Sequence, residues 1–316
     1  MKKILLIPFP NGLGHIRRMT ILSNELSRYF DVTLIVFKNK NKFFLKKKVR
    51  TVCLLNHNLN YKNFYQRIIG VHKIKKYILE SDAIISDNIH QFTKLDKNIF
   101  IYANFFWEKI YNPQKKIELN LKKNDRIFSN YIFKSKYIKT SKLIKTPFFE
   151  NQKKIKKNKT KILISFGTAR FFLDKNQILL LKKNLASFFF KNYEFYLDPI
   201  VYDKIDKKKN ISKAKYDQKM YDNTRYAIIK PGMGTVEECL KNNIEIISFT
   251  KNLNLEFKEI AKTLSKQKIG KKTNDIGDAF KVLKKIILNE KTFYKNQKLQ
   301  WFGEKTISKY LRKFYS

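Results

Sequence analysis

The stretch that decides the fold runs from residue 226 to residue 240 and reads YAIIKPGMGTVEECL. It opens on an apolar run that predicts a buried β-strand, and the glycines at positions 232 and 234 then lead into a helical pattern. The same order occurs near the start of the chain, where residues 3–18 read KILLIPFPNGLGHIRR. A strand, a glycine loop and a helix in this order are typical of parallel α/β sheets, so both halves are predicted to be of this kind.

Strand-like and helix-like runs alternate on both sides of these loops, so the whole chain is predicted to be α/β. The predicted strands are residues 3–9, 31–37, 51–55, 83–86, 99–103, 126–129, 161–166, 194–197, 226–230 and 244–249. The predicted helices are residues 16–29, 64–79, 175–190, 235–242, 255–266 and 276–288. The tail from 291 to 315 has an amphipathic helical pattern.

The apolar periodicity stops at residues 150–160, a lysine-rich stretch that predicts a linker between two domains. We expect one Rossmann-like domain over residues 1–149, a second over residues 161–290, and a C-terminal helix over residues 291–316 that packs back on the first. A chain of 316 residues exceeds the size at which single cores stop growing, which favours two domains. Two such domains facing each other would leave a ligand-binding cleft at the carboxyl ends of their strands.

The charge balance is strongly basic, with 68 Lys and Arg against 26 Asp and Glu and a formal net charge of +42. Only nine of the 68 basic residues are Arg. Proteins that read bases favour Arg because its planar guanidinium makes bidentate contacts, so no specific nucleic acid is expected as a partner. An anionic membrane surface is a candidate partner, and residues 43–45, Phe-Phe-Leu among lysines, are its candidate contact.

The two cysteines and four histidines form no spaced ligand cluster, so neither a metal site nor a disulfide framework is predicted. No apolar run approaches the roughly 20 residues of a membrane-spanning helix. The N-terminal stretch lacks a signal-peptide cleavage site and is predicted to be the first strand. We therefore expect a cytoplasmic protein in a reducing compartment, either soluble or peripheral on the inner face of the membrane.

In the first half, Gly12, Gly14 and His15 stand where a strand turns into a helix. The helix dipole and the arginines that follow disfavour the imidazolium, so His15 is suited to accept a proton near neutral pH. Asp87 ends a predicted buried strand and is placed to bond the far nitrogen of His15 and fix its tautomer. The structural alternatives are a glycine turn capped by His15, and an Asx turn or helix cap at Asp87.

In the second half, two loops follow predicted strands. The first carries Gly167, Thr168 and Arg170, whose amides and guanidinium form a candidate diphosphate cradle, with a plain βα turn as the alternative. The second loop opens the helix after residue 230, where backbone amides and a threonine hydroxyl can bind phosphate. Glu238, one turn into that helix, can accept both hydroxyls of a ribose.

These motifs resemble those of the GT-B fold nucleotide-sugar glycosyltransferases, and most closely the MurG-like group. The resemblance is carried by the glycine–histidine loop, the Ser-Phe-Gly-Thr turn at 165–168 and Gly-x-Gly-Thr-x-x-Glu at 232–238. Residues 102–111, YANFFWEKIY, are similar to a stretch in related glycosyltransferases. The resemblance implies two Rossmann-like domains, a UDP-linked donor, inversion at the anomeric carbon and no bound metal.

The resemblance also implies roles for single residues. It places His15 at the position of the family's catalytic histidine and Glu238 at the ribose of the donor. The further donor contacts that it implies are, for the diphosphate, Gly232, Gly234 and Thr235, and, for the sugar, Asn254 and Glu256.

The predicted function is the transfer of a sugar from a nucleotide-sugar donor to a hydroxyl of a glycan or lipid-linked acceptor. The nucleotide sugar is a substrate here, so no cofactor is expected. Three alternatives remain open on the sequence: a nucleotide-sugar 2-epimerase of the same fold, a basic protein that binds nucleic acid or an anionic surface, and a non-catalytic nucleotide-sugar sensor.

Overall fold

The computed structural model describes residues 1–9, 13–37, 49–54, 72–106, 114, 119–133, 138, 140–153, 159–167, 175–206, 209–289 and 298–316. The chain forms two compact units. Unit 1 comprises residues 1–150 and 300–316, and unit 2 comprises residues 151–299. The segment predicted as a linker begins with Glu150 in unit 1 and continues in unit 2, where the Lys153 N–H donates to the Lys241 carbonyl at 2.8 Å.

Within the described residues, the strands are β1 (Lys3–Ile7), β2 (Asp31–Phe37), β3 (Arg50–Leu54), β4 (Ala83–Asp87), β5 (Asn98–Tyr102), β6 (Arg126–Asn130), β7 (Leu143–Thr146), β8 (Lys161–Ser165), β9 (Phe195–Leu197), β10 (Ile211–Lys213), β11 (Thr224–Ile229), β12 (Glu245–Phe249) and β13 (Lys271–Thr273). The α-helices are α1 (Leu13–Leu26), α2 (His72–Glu80), α3 (Lys175–Leu185), α4 (Pro199–Tyr202), α5 (Gln218–Asn223), α6 (Met233–Lys241), α7 (Leu255–Lys266), α8 (Ile276–Leu288) and α9 (Gly303–Tyr315). Two 3₁₀ turns cover His90–Lys94 and Phe188–Phe190.

Unit 1 is built on a sheet with the strand order β3-β2-β1-β4-β5-β6-β7, and every strand pair is parallel. Its strands are apolar because both faces of the sheet are covered, as parallel sheets require. One face packs against Ile74 and Ile78 of α2. The other packs against α1 and α9, which contribute Met19, Leu22, Leu26, Ile307 and Leu311.

Unit 2 is built on a second parallel sheet, with the strand order β10-β9-β8-β11-β12-β13. One face packs against α3 and α8 around buried Leu181, Phe280 and Leu283. Of the other helices of unit 2, α6 lies against β12 and α7 lies against β13. In both units successive strands are first added on one side of the first strand and then on its other side, so the strand order changes direction between β1 and β4 and between β8 and β11. Open α/β sheets bind ligands at such a reversal, outside the carboxyl ends of the strands.

The last helix, α9, completes the core of unit 1. Ile307 and Leu311 are fully buried, and the Tyr310 ring packs edge-on against Phe100 at 6.2 Å between ring centroids. The carboxylate of Glu304 accepts a hydrogen bond from the Glu150 N–H at 2.9 Å. Gly303 packs against the backbone at Pro147, where a Cβ would overlap the Pro147 carbonyl oxygen, so only glycine fits.

Some predicted boundaries are wrong, and the errors have physical causes. Helices α1 and α6 begin at Leu13 and Met233, before the predicted starts at residues 16 and 235. The first turn of each helix contains a glycine, which a helix start tolerates. The prediction used the spacing of apolar residues, and glycine does not contribute to that pattern. The predicted helix 175–190 ends at Leu185 and is followed by the turn Phe188–Phe190. Of the predicted helices 64–79 and 291–315, the parts 64–71 and 291–297 lie outside the described residues.

In the described part of the chain, every helix falls short of the length and apolar character that crossing a bilayer demands.

Candidate active site

Several predicted residues lie outside the part of the chain that the structure describes. They are Gly12, Thr168 and Arg170, together with residues 107–111 of the aromatic motif and the candidate membrane contact at 43–45. Their roles stay predictions.

The structure brings His15 and Asp87 together at the carboxyl edge of the unit 1 sheet. His15 lies in the first turn of α1, directly after β1, and Asp87 is the last residue of the neighbouring strand β4. The His15 Nδ1 atom is 3.0 Å from the Asp87 Oδ2 atom. The Asp87 side chain is fully buried and that of His15 is 14% exposed, so the imidazole lies between the carboxylate and solvent.

Arg18, one helical turn after His15, is the third member of this cluster. Its Nη2 atom lies 3.1 Å and 3.3 Å from the two Asp87 carboxylate oxygens, and its guanidinium carbon is 4.5 Å from the centre of the Tyr102 ring. Burial opposes the charge on Asp87, but the adjacent Arg18 and His15 outweigh it and hold the pKa of the carboxyl below its usual range. Asp87 is therefore a buried carboxylate.

An ionised Asp87 fixes the state of the neighbouring imidazole. The Arg18 Nη2 atom also lies 3.3 Å from Nδ1, but the Asp87 carboxylate is closer, at 3.0 Å, and can only accept hydrogen bonds. The ring proton is therefore assigned to Nδ1 and the lone pair to Nε2. The Phe9 ring, 5.4 Å from the His15 ring between centroids, supports its orientation. The side-chain contacts of Asp87 are with His15 and Arg18, and its role in orienting His15 stays a prediction.

In unit 2, the start of α6 presents backbone N–H groups. Gly232 is the N-cap residue, and the first intrahelical bond runs from the Val236 N–H to the Gly232 carbonyl at 2.9 Å. The N–H groups of residues 233–235, including those of Gly234 and Thr235, therefore precede the helical ladder and point out of its positive end. A Cβ built on Gly232 would meet only the Phe257 ring, at 4.0 Å, so there is open space over this loop.

Lys230 adds a cation directly before this helix. The residue is 7% exposed and its Nζ atom lies 4.6 Å from the centre of the Phe257 ring. Burial lowers the pKa of Lys230 to about 8, although the charges of Glu256 and Asp198 act in the opposite direction. Lys230 is thus a partly desolvated cation beside a helix N-terminus, which is a favourable arrangement for an anion.

Asp198 organises the turn that holds Gly167. Its carboxylate accepts hydrogen bonds from the N–H groups of Phe166 and Gly167, the latter at 2.9 Å, and lies 3.4 Å from the Ser165 hydroxyl. Burial raises the pKa of Asp198 to about 6 against the effect of these donors. Gly167 has a φ of +73°, and a Cβ there would lie 2.9 Å from the Lys230 Nζ atom. The Gly167 N–H of the predicted cradle is thus directed at Asp198, with Lys230 beside this glycine.

Three predicted donor contacts lie on α6 and α7. Glu238 is one turn into α6 and 9% exposed, so only a small part of it meets solvent. Asn254 is the N-cap of α7, and its side chain accepts a hydrogen bond from the Phe257 N–H at 3.2 Å. Glu256 lies in the first turn of that helix and its charge acts on Lys230. Their contacts with a donor stay predictions.

Sequence reasoning missed three residues of these clusters: Arg18, Lys230 and Asp198. Arg18 has a signal in the sequence, since residues three apart on a helix share a face. Lys230 also has one, because it directly precedes the glycine loop. Among the described residues, no group of three or more His, Cys, Asp or Glu is arranged to hold a metal ion.

No family model matches the chain, and no curated protein matches it either. Solved structures do match its fold. The structure of Arabidopsis thaliana UGT89C1 complexed with UDP aligns over 99% of this chain and 94% of its own, with a TM-score of 0.63 and 11% identity. CalG4, the calicheamicin glycosyltransferase, aligns over 99% and 98%, with a TM-score of 0.61 and 11% identity.

The spinosyn rhamnosyltransferase SpnG aligns over 99% of this chain and 96% of its own, with a TM-score of 0.58 and 12% identity. These alignments span both units, and the parallel sheets described above confirm the predicted fold class. The more specific MurG-like resemblance stays a prediction. The chain has the α/β fold of the GT-B glycosyltransferases.

Proposed function

We propose that this protein transfers a sugar from a nucleotide-diphosphate sugar, with UDP as the carrier, to an acceptor hydroxyl. The observation that carries the proposal is the contact of 3.0 Å between the His15 Nδ1 atom and the buried Asp87 carboxylate. A histidine whose Nδ1 is held in this way keeps the Nε2 lone pair for general base catalysis. The shared fold with glycosyltransferases, including a structure complexed with UDP, supports this choice of reaction.

On the acceptor side, the His15 Nε2 atom takes the proton of the acceptor hydroxyl. The oxygen then bonds to the anomeric carbon of the donor while the bond from that carbon to the diphosphate oxygen breaks. The electron pair of the broken bond leaves with the diphosphate. Asp87 stabilises the imidazolium that forms, and Arg18 keeps Asp87 ionised, so Arg18 is a positioning residue.

On the donor side, the start of α6 takes up the negative charge that develops on the diphosphate. The N–H groups of residues 233–235 and the Lys230 ammonium provide fixed positive charge at this point. These groups support the proposal that the transfer is independent of a bound metal. Glu238 is proposed to accept the ribose hydroxyls, since a carboxylate can bind a vicinal diol.

The proposed displacement is a single step, so it inverts the configuration at the anomeric carbon. The proposed acceptor is a glycan or a lipid-linked glycan of the cell envelope. Support for both points comes from the resemblance of the sequence motifs to the MurG-like group.

The test begins with a panel of nucleotide sugars, because a ligand that binds only the native state raises its melting temperature. With an active donor and acceptor identified, His15→Ala should lower kcat by roughly 10²- to 10⁴-fold, the usual contribution of a general base. Asp87→Asn should also lower it, by roughly 10²-fold, because the amide no longer stabilises the imidazolium. UDP affinity measured by calorimetry should stay unchanged in both variants.

The matched control is Asp82→Asn. Asp82 precedes the other end of the same strand β4, where its carboxylate accepts a hydrogen bond from the Lys3 N–H at 2.8 Å. This variant should keep wild-type turnover. Full turnover in His15→Ala would overturn the base assignment, and a panel without any binding nucleotide sugar would overturn the proposed function itself.

A further inference from the structure

An exposed aromatic side chain follows α3 on the surface of unit 2. Phe188 is 92% exposed, the highest fraction among large apolar side chains in the part of the chain described. The next two residues pack against the protein: the half-buried Phe189 ring stacks on Tyr193 at 5.9 Å, and Phe190 is 3% exposed and packs against Phe280. These two rings anchor the turn on the protein, and Phe188 faces solvent.

Phe188 is one of the residues that line a surface groove between this turn and α8. The groove has a volume of 590 Å³ and is lined by the aromatic side chains of Phe189 and Phe280 and by the lysines Lys191, Lys281 and Lys284. We call it the Phe188 groove. No carboxylate is among its described lining residues.

The lysines of the groove extend onto one face of α8. Lys281, Lys284 and Leu288 are spaced by three and then four residues, so they share that face, and Leu288 is 64% exposed. The Lys284 Nζ atom lies 5.0 Å from the centre of the Phe189 ring. Lys281 pairs with Asp278 at 3.2 Å, but its side chain is 77% exposed and such surface pairs are weak. The face is therefore basic with exposed apolar side chains.

We propose that the Phe188 groove is a docking surface for an anionic lipid bilayer. A bilayer offers both partners at once, because its interface takes up an aromatic ring while its headgroups meet the surrounding lysines. The described lining of the groove carries three lysines and no carboxylate, so its charge complements a layer of phosphate headgroups. This inference does not depend on the proposed sugar transfer.

The test is co-sedimentation of the full chain with vesicles of phosphatidylcholine, alone or with roughly one-third phosphatidylglycerol, at about 0.15 M salt. The wild type should bind only the acidic vesicles. Lys281→Gln together with Lys284→Gln should weaken this binding roughly 30-fold, since each lysine near an anionic surface contributes about fivefold. Phe188→Ser should weaken it about tenfold or more, whereas Phe188→Trp should retain it.

The control changes the same charge elsewhere in unit 2, with Lys262→Gln and Lys266→Gln on the exposed side of α7. It should bind acidic vesicles nearly as well as the wild type. Equal loss in the control and in the Lys281/Lys284 variant would overturn the proposal in favour of general charge attraction. It would also be overturned if the wild type ignored vesicles and instead formed Phe188-dependent dimers in sedimentation velocity, because a second copy would then cover the groove.

Discussion

Lys230 is the residue whose charge should be visible most directly in binding. Its pKa is lowered to about 8 by burial, so it is protonated below that pH and neutral above it. Because a proposed diphosphate ligand needs the cation, UDP affinity should fall as pH rises from about 7 to about 9.5. Lys230→Met should weaken UDP binding roughly 10- to 100-fold at about pH 7, since a hydrogen bond to a charged group is lost.

Calorimetry over this pH range separates charge from packing. Lys230→Arg should bind UDP with little dependence on pH, because the guanidinium stays protonated throughout. Lys251→Met, at an exposed lysine after β12, is the control and should keep wild-type affinity and pH dependence. A wild-type affinity that does not change across this range would contradict the role of Lys230.

Asp198 should make stability depend on pH. Its folded pKa, about 6, lies above the ordinary value of 3.8, so between these values the unfolded chain releases a proton that the folded chain keeps. Stability should therefore fall as pH rises from about 4 to about 6, by roughly 2–3 kcal/mol. Asp198→Asn should remove this loss, because the amide oxygen still accepts from the turn and carries no charge.

Urea unfolding at several pH values tests this expectation. Asp203→Asn changes an exposed carboxylate a few residues along the chain and should retain the wild-type pH dependence. If Asp198→Asn were less stable than the wild type at neutral pH, the expectation would be contradicted. The charged carboxylate would then stabilise the folded protein more than its burial destabilises it.

At the scale of the element, the start of α6 can be tested through Gly232. Its φ of −73° suits any residue, and a methyl group would meet only Phe257 at 4.0 Å. Gly232→Ala should therefore change the free energy of unfolding by less than about 1 kcal/mol. The same methyl group would stand over the N–H groups proposed to bind the diphosphate, so UDP affinity should fall roughly tenfold or more.

Thermal unfolding and calorimetry on one preparation check both halves of this expectation. If the Gly232→Ala protein bound UDP as tightly as the wild type, the proposal that the diphosphate binds at the start of α6 would be contradicted.

The elements that were predictable share one property, namely a strong apolar run. Strands β1 and β4 are of this kind, and so the ends that carry His15 and Asp87 could be located from the sequence. Strands β7, β10 and β13 were missed because each is an edge strand of three or four residues with lysine in it, and exposed edges show little apolar alternation.

The contacts of Asp198 and Arg18 depend on which strands lie side by side in a sheet, and the sequence does not show this order. Asp198 follows a predicted strand, but an acidic residue before proline is equally typical of a turn. Only the pairing of β8 with β9 brings it to the amides of Phe166 and Gly167. In the same way, the buried position of Arg18 against Tyr102 requires β5 to lie beside β4.

At the scale of the molecule, unit 1 depends on its last helix. Leu311 is fully buried in the core that α9 shares with α1. Leu311→Ala should therefore lower the free energy of unfolding by about 2–5 kcal/mol, the usual cost of a core cavity. Leu288→Ala, in the last turn of α8 with the side chain 64% exposed, is the control and should change it by less than about 0.5 kcal/mol.

Denaturant unfolding followed by circular dichroism measures both variants. A Leu311→Ala protein as stable as the wild type would mean that α9 does not contribute to the core in the way its burial indicates.

The return of α9 to unit 1 also has a consequence for the order of events on the ribosome. Residues 151–299 are contiguous and emerge as one piece, whereas the hydrophobic core of unit 1 is incomplete until residues 300–316 have been translated. Domains generally fold as whole units during synthesis. Unit 1 should therefore reach its native state only once its last helix has been made, and until then the part of the sheet face that this helix covers stays open to a chaperone.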